Sequence, residues 1–191
     1  MYFIDRLTQN LKRSVGLAYT DAGAAVAIIL KIEDEDLLVF LVKRAVNPSD
    51  PWSGNMALPG GRRHRGEDIA ETVVRETREE TGIDVSKYRF IGNLDVQTSG
   101  RAGSPLRILP FVFLCDEKPE VTLNSELTLW FWVSLDDLNR GRGKASMGGS
   151  EVAAYLVNGE VVWGLTFRIL GTLLNLLEEN ASGATSKTSD F

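Results

Sequence analysis

A glycine turn followed by a segment dense in carboxylates, between Leu58 and Ile83, constrains this chain more than any other feature. It reads LPGGRRHRGEDIAETVVRETREETGI, with a short basic loop between the turn and the acidic part. Steps of three and four residues lead from Glu76 to Glu79 and Glu80, so these carboxylates share one face of a predicted helix. Because like charges this close repel one another, the pattern predicts a bound multivalent cation on the acidic face.

The other face of this predicted helix is apolar and suited to packing on a core. It carries Ile69, Ala70, Val73 and Val74. Such a division into an apolar and a charged face is typical of a helix that covers a sheet or a bundle. The alternative is an acidic helix that faces solvent and binds nothing.

The spacing G-x5-E-x7-R-E-U-x-E-E-x-G-U, with U an aliphatic residue, resembles the signature of the Nudix hydrolases. All positions except Thr77, which replaces an aliphatic residue, fit that signature. The positions of the signature in this chain are Gly61, Glu67, Arg75, Glu76, Thr77, Glu79, Glu80, Gly82 and Ile83. So many fixed charged and glycine positions make a chance match improbable, although a motif needs its structural context.

The resemblance implies a divalent-metal site on the predicted helix. It makes Glu79 and Glu80 the main ligands, with Glu76 and the main-chain carbonyl of Gly60 alongside. Glu67 is then an additional or outer ligand, and Arg75 orients a glutamate through a bidentate pair. Hard oxygen ligands suit Mg²⁺ or Mn²⁺.

Two carboxylates are candidates for the general base. In this family the base often comes from outside the helix, and Glu126, just before a predicted strand, is the first candidate. Glu80 is the second. Glu126 could equally be an ordinary exposed loop residue, because a lone carboxylate carries little signal.

Two further segments resemble the coenzyme A pyrophosphatases of the family. One runs from Leu41 to Gly61 and the other, VWGLT, from Val162 to Thr166. Ala45, Asp50 and Met56 depart from the coenzyme A pattern. The resemblance implies hydrolysis of coenzyme A or a thioester to 3′,5′-ADP and 4′-phosphopantetheine; ADP-ribose, dinucleoside polyphosphates and nucleotide triphosphates are alternative substrates.

Candidate substrate-binding residues surround the motif. They are Arg44, Trp52, Arg62, Arg63 and Arg101. Arginines suit the phosphates of a nucleotide, and a tryptophan in a loop can stack on its base. Each arginine could instead merely neutralise the acidic helix. A non-catalytic Nudix module that senses a nucleotide is the alternative from another class, but such a module is expected to have lost motif glutamates.

Composition limits the kinds of binding partner and the cellular location that we expect. A net charge of −5 argues against binding to nucleic acid polymers. No apolar run is long enough for a membrane span, and the N-terminus lacks the order of a signal peptide. Cys115, the single cysteine, allows no internal disulfide, so we expect a cytoplasmic protein with a small-molecule nucleotide substrate. Many Nudix proteins dimerise, so a homodimer is possible, but the sequence does not determine the oligomeric state.

The order of elements predicts an α/β fold, a Nudix-type α/β/α sandwich around a mixed β-sheet. Residues 1–180 are expected to form one domain with an N-terminal helical extension at 2–15, and residues 181–191 a disordered tail. A loop is expected over 97–105, a mobile glycine-rich segment over 141–150, and an edge or a bulge at Pro110. The final helix is predicted from Leu165 to about Glu179.

Overall fold

The architecture comes from a computed structural model of the chain. It describes residues 7–9, 11, 21–48, 52–99 and 105–182, and of residues 179–182 it describes only the backbone. The predicted N-terminal helix falls mostly outside these ranges; Leu7 and Leu11, which are described, are fully buried in the core. Residues 183–191 of the predicted tail also lie outside them.

The main sheet has eight strands and mixed pairing. Its strands are β1 (Ala24–Glu33), β2 (Asp36–Arg44), β3 (Met56–Ala57), β4 (Gly60–Arg62), β5 (Arg89–Asn93), β6 (Gln97–Ser99), β7 (Leu106–Cys115) and β8 (Leu127–Ser134). β1 lies at the centre, antiparallel to β2 and β4 and parallel to β7. β5 and β6 extend the sheet beyond β7, and β3 and β8 extend it beyond β2.

Helices cover both faces of this sheet. Successive residues of β1 point to opposite faces, and two separate apolar cores form as a result. Helix α1 (Ile69–Thr81) packs Ile69 and Val73 on one face, whereas helix α3 (Gly164–Ser182) packs its buried leucines on the other. The predicted α/β/α sandwich around a mixed sheet is therefore confirmed.

A second, three-stranded sheet follows the short helix α2 (Leu135–Arg140). It consists of β9 (Arg142–Met147), β10 (Ser150–Val157) and β11 (Glu160–Trp163), all antiparallel. The Asn158-Gly159 turn between β10 and β11 has positive φ at both residues, 52° and 76°, as the predicted two-residue hairpin requires. Through β11 this small sheet packs against β3, which lies beside the glycine turn.

Three sequence expectations are wrong. Residues 97–99 of the expected loop form β6, which pairs with β7. Most of the glycine-rich segment forms β9, which pairs with β10 across the Gly148-Gly149 turn. Pro110 is on the central strand β7 rather than at an edge, and it pairs with Val26 of β1. On its other side the ladder is interrupted, because β5 has ended and β6 has not begun, so no strand on that side needs its missing N–H.

None of the described helices is long and apolar enough to cross a membrane.

Candidate functional site

Helix α1 begins and ends with local signals that the sequence encodes. The Asp68 side chain accepts from the N–H of Ala70, and the N–H of Asp68 donates to Glu71, which together form a capping box. At the other end Gly82 adopts a left-handed φ of 74°, and its N–H donates to the Arg78 carbonyl. The helix is thereby fixed in register, which fixes the direction of its acidic face.

The glycine turn runs closely past both β1 and α1. Gly60 has φ 142°, and a Cβ there would collide with the backbone of Ala25 and Val26. A Cβ on Gly61 would collide with the Glu76 carboxylate. Gly60 therefore requires glycine to pass β1, whereas Gly61 leaves room for the Glu76 carboxylate.

Glu80 is the buried carboxyl of the site. Its side chain is 5% exposed, and its Oε2 accepts from the N–H of Gly60 at 2.8 Å. Burial, reinforced by the charges of Glu76 and Glu126, raises the pKa of Glu80 to about 7, although the Gly60 hydrogen bond and the charge of Arg44 act in the opposite direction. A cation beside this carboxyl would favour its ionised form.

Arg75 connects the remaining carboxylates. Its Nε and Nη2 donate to the two oxygens of Glu67 at 2.7 and 3.0 Å, a bidentate pair. Its Nη1 donates to Glu76 at 2.9 Å and to Glu79 at 3.2 Å. The hydrogen bonds from Arg75 lower the pKa of Glu67 to about 2, so this carboxyl stays ionised. Arg75 contacts carboxylates and the Arg62 carbonyl, as an orienting residue would.

Glu126 and Arg44 approach the same end of α1 from outside the helix. Both charges act on the pKa of Glu80, in opposite directions. The N–H of Ala45, the residue after Arg44, donates to the Glu126 carbonyl at 2.7 Å. The end of β2 and the start of β8 therefore bring a cation and a second carboxylate to the buried carboxyl.

A family model, the NUDIX domain, matches residues 21–153, more than half of the chain. The chain belongs to the Nudix family. The matched range contains the sheet, α1 and the glycine turn, so the motif lies in the structural context that the family requires.

Relatives and solved structures agree with this assignment. Nudix hydrolase 3 of Caenorhabditis elegans is 26% identical over 183 residues, covering 83% of this chain and 75% of that protein. An uncharacterised Schizosaccharomyces pombe protein is 44% identical over 108 residues, which cover 52% of this chain. An ADP-ribose pyrophosphatase of Methanocaldococcus jannaschii is 36% identical over 85 residues, 44% of this chain. These two matches span only 32% and 47% of the relatives' own lengths.

Two crystal structures share the fold at 17% identity. The M. smegmatis Nudix hydrolase RenU has a TM-score of 0.56 and covers 89% of this chain, with 90% of its own chain covered. A binary complex of a C. elegans Ap4A hydrolase has a TM-score of 0.54 and covers 84%, with 96% of its own chain covered.

Nudix hydrolases generally use divalent metals, and the residues of this chain fit such an ion. The acidic face of α1 offers only carboxylate oxygens, which Mg²⁺ and Mn²⁺ prefer. Gly61 keeps open the space in which the Glu76 carboxylate lies, and Glu80 is a buried carboxyl without a salt-bridge partner among the ion pairs of the described residues. Among the described residues no three acidic, histidine or cysteine side chains are placed so that they could hold a metal ion. Glu67, Glu76 and Glu79 instead accept hydrogen bonds from Arg75.

The candidate substrate residues do not all lie together. Arg62 is exposed, and the Arg63 side chain donates to the Glu67 carbonyl at 2.5 Å beside the motif. Trp52 is 43% exposed in the turn that precedes β3. Arg44 lies at the Glu80 end of α1. Arg101 is outside the described residues.

The contacts that join residues 41–61 to residues 162–166 could not be identified from the sequence. Trp163 Nε1 donates to Asn55 Oδ1 at 3.0 Å, and Thr166 Oγ1 donates to the Met56 carbonyl at 3.1 Å. The residues in contact are more than a hundred positions apart in sequence, so no local pattern predicts that they meet.

Proposed function

We propose that this protein is a divalent-metal-dependent Nudix pyrophosphohydrolase that cleaves the diphosphate linkage of a nucleotide derivative. The observation that carries the proposal is the arrangement of Gly60 and Gly61 against the acidic face of α1. This arrangement places Glu76 and Glu80 beside a backbone that approaches them more closely than a side chain would allow. The C. elegans relative named a Nudix hydrolase supports the same reaction class.

The chemistry explains why such a site needs a dense negative face. A diphosphate is kinetically inert because its oxygens repel a nucleophile and its leaving phosphate carries charge. When bound, a divalent cation supplies the charge neutralisation and lowers the pKa of a bound water. We assign its binding to Glu76, Glu79, Glu80 and the carbonyl of Gly60, with Glu67 as an outer ligand.

The other residues act on position and on protons. Arg75 holds Glu67 by the bidentate pair and keeps Glu76 oriented. We assign Glu126 as the group that accepts a proton from the attacking water, with Glu80 as the alternative base. Arg44, which brings positive charge to the Glu80 end, would contact a phosphate oxygen. Trp52, Arg62, Arg63 and Arg101 are the further substrate candidates.

Coenzyme A or a thioester of it is our first choice of substrate. The support is the resemblance of residues 41–61 and 162–166 to coenzyme A pyrophosphatases, together with the contacts that join these two segments through Asn55 and Met56. Such a reaction would yield 3′,5′-ADP and 4′-phosphopantetheine.

ADP-ribose is the second choice. The M. jannaschii relative is named an ADP-ribose pyrophosphatase, and its similarity to this chain is 36% over 85 residues. Both substrates present a diphosphate with an adenosine on one side, so the same acidic face would serve either.

The test is product analysis on coenzyme A, ADP-ribose, diadenosine tetraphosphate and deoxynucleotide triphosphates, each with Mg²⁺ and with Mn²⁺. Glu79→Gln serves as the blank, because it removes a proposed ligand from an exposed position on α1. The highest kcat/KM on coenzyme A supports the first choice, and the highest on ADP-ribose supports the second. No metal-dependent turnover of any compound, combined with tight binding of one, would favour the sensing module instead.

A further inference from the structure

The segment that returns from β7 to β8 lies across the C-terminal end of α1. We call residues 121–126 the return segment. Its Thr122 N–H donates to the Thr81 carbonyl at 2.9 Å, and its Asn124 N–H donates to the Glu80 carbonyl at 3.0 Å. The last carbonyls of a helix have no partner within the helix. The return segment donates to the last two of them, those of Glu80 and Thr81, and so lies directly beside Glu80.

Asn124 makes a second contact through its side chain. Its Oδ1 accepts from the N–H of Glu126 at 2.9 Å, a local turn that asparagine favours. The carbonyl of Glu126 in turn accepts from the N–H of Ala45. The main chain of Glu126 is therefore held at both its N–H and its carbonyl, once by Asn124 and once by the end of β2.

Glu126 lies at the Glu80 end of α1. Its side chain is exposed, and it stands two residues after Asn124, whose N–H donates to the Glu80 carbonyl. An exposed glutamate has many accessible conformations, and fixing its main chain reduces them. The contact from Asn124 is the only one of the two main-chain holds that depends on a side chain.

We propose that Asn124 is a positioning residue: its Oδ1 holds Glu126 so that the Glu126 carboxylate stays at the Glu80 end of α1. This inference rests on the proposed function, with Glu126 as the proton acceptor. Asn124 contacts neither substrate nor metal, and its effect on turnover passes through Glu126 alone.

Three variants separate this role from simple capping of α1. Asn124→Ala removes the side-chain acceptor but keeps the main-chain N–H that donates to Glu80, so the end of the helix keeps its partner. Asn124→Asp keeps an oxygen at the same place. Ser125→Ala changes the exposed neighbour between Asn124 and Glu126 and is the matched control.

We expect Asn124→Ala to lower kcat about tenfold, a part of what a general base contributes, with little change in KM or in the Mg²⁺ concentration for half-maximal rate. Asn124→Asp should recover most of the turnover, and Ser125→Ala should equal wild type. In a Glu126→Gln background, Asn124→Ala should cost nothing further, because both changes remove one function. Wild-type kcat in Asn124→Ala, or additive effects in the double variant, would overturn the proposal.

Amide hydrogen exchange at Glu126 gives a readout that does not depend on turnover. Exchange there should become about tenfold faster in Asn124→Ala, since its N–H loses its acceptor, and stay unchanged in Ser125→Ala. Equal protection of the Glu126 amide in Asn124→Ala and wild type would overturn the positioning role. Failure of the proposed function is distinguishable, because wild type would then show no metal-dependent turnover at all.

Discussion

At the scale of single residues, Glu80 is a proposed metal ligand whose ionised form lowers the stability of the folded chain. The carboxyl is buried, and Glu76 and Glu126 add negative charge near it, so the folded chain favours its protonated form. Its pKa of about 7 lies above the ordinary value of 4.5 for a glutamate. Stability from the neutral form is therefore fully present below about pH 4.5 and lost as the pH rises through 7.

Glu80→Gln should stabilise the metal-free protein at high pH. The glutamine keeps an oxygen for the Gly60 N–H but cannot ionise, so at pH 8.5 in EDTA the free energy of unfolding should rise by about 3 kcal/mol. At pH 4.5 the two proteins should be equally stable. Urea unfolding at both pH values checks this, and the same difference at each pH would contradict it.

Gly61→Ala should damage activity more than stability. The new Cβ collides with the end of the Glu76 side chain, which can move away but then leaves its place. We expect kcat to fall roughly tenfold or more with a change in unfolding free energy below about 1 kcal/mol.

Gly66→Ala is the control for this change. Gly66 has φ 84°, and a Cβ added there would meet no atom within 4 Å, so alanine adds about 1 kcal/mol of backbone strain and should leave kcat unchanged. Reversal of the two results, with Gly66→Ala inactive and Gly61→Ala active, would refute the role of Gly61.

At the scale of elements, α1 is the part that the sequence predicts most completely. Its capping residue, its apolar face and its terminal glycine are all local signals, and Thr77, which departs from the family pattern, is simply buried. β6 and β9 were not predicted, although each pairs with the next strand along the chain, β7 or β10. The local composition of both segments favours a loop, but Gly148-Gly149, with positive φ at both residues, is the hairpin turn that joins β9 to β10.

Asp68→Ala should destabilise α1 without changing the chemistry. It removes the side chain that accepts from the Ala70 N–H, and loss of such a cap costs about 1 kcal/mol. Thermal unfolding should shift down, while kcat at 25 °C stays at the wild-type value. Glu71→Gln, which keeps an oxygen for the Asp68 N–H, is the matched control and should unfold close to wild type.

At the scale of the whole molecule, the small sheet is tied to the main sheet near the glycine turn. Lys43 on β2 pairs with Glu160 on β11 at 2.7 and 2.8 Å, with both side chains half-buried. Lys43 is thereby engaged at the junction between the two sheets. Its partner could not be predicted, because it lies 117 residues away.

A double-mutant cycle with Lys43→Met and Glu160→Gln should detect this connection. A partly buried pair of this kind should give a coupling of about 1 kcal/mol in unfolding free energy. The exposed pair of Lys144 and Glu151, within the small sheet, is the control and should give less. A coupling near zero for Lys43 and Glu160 would mean that the pair does not help to join the sheets.

One comparison decides whether the acidic face of α1 is a metal-dependent hydrolytic site. Turnover of the best substrate is measured against Mg²⁺ concentration for wild type and Glu79→Gln, with thermal unfolding of both proteins in EDTA. We predict that Glu79→Gln loses at least roughly a hundredfold in kcat/KM while it unfolds as wild type does. Equal turnover of the two proteins at saturating Mg²⁺ would contradict the account.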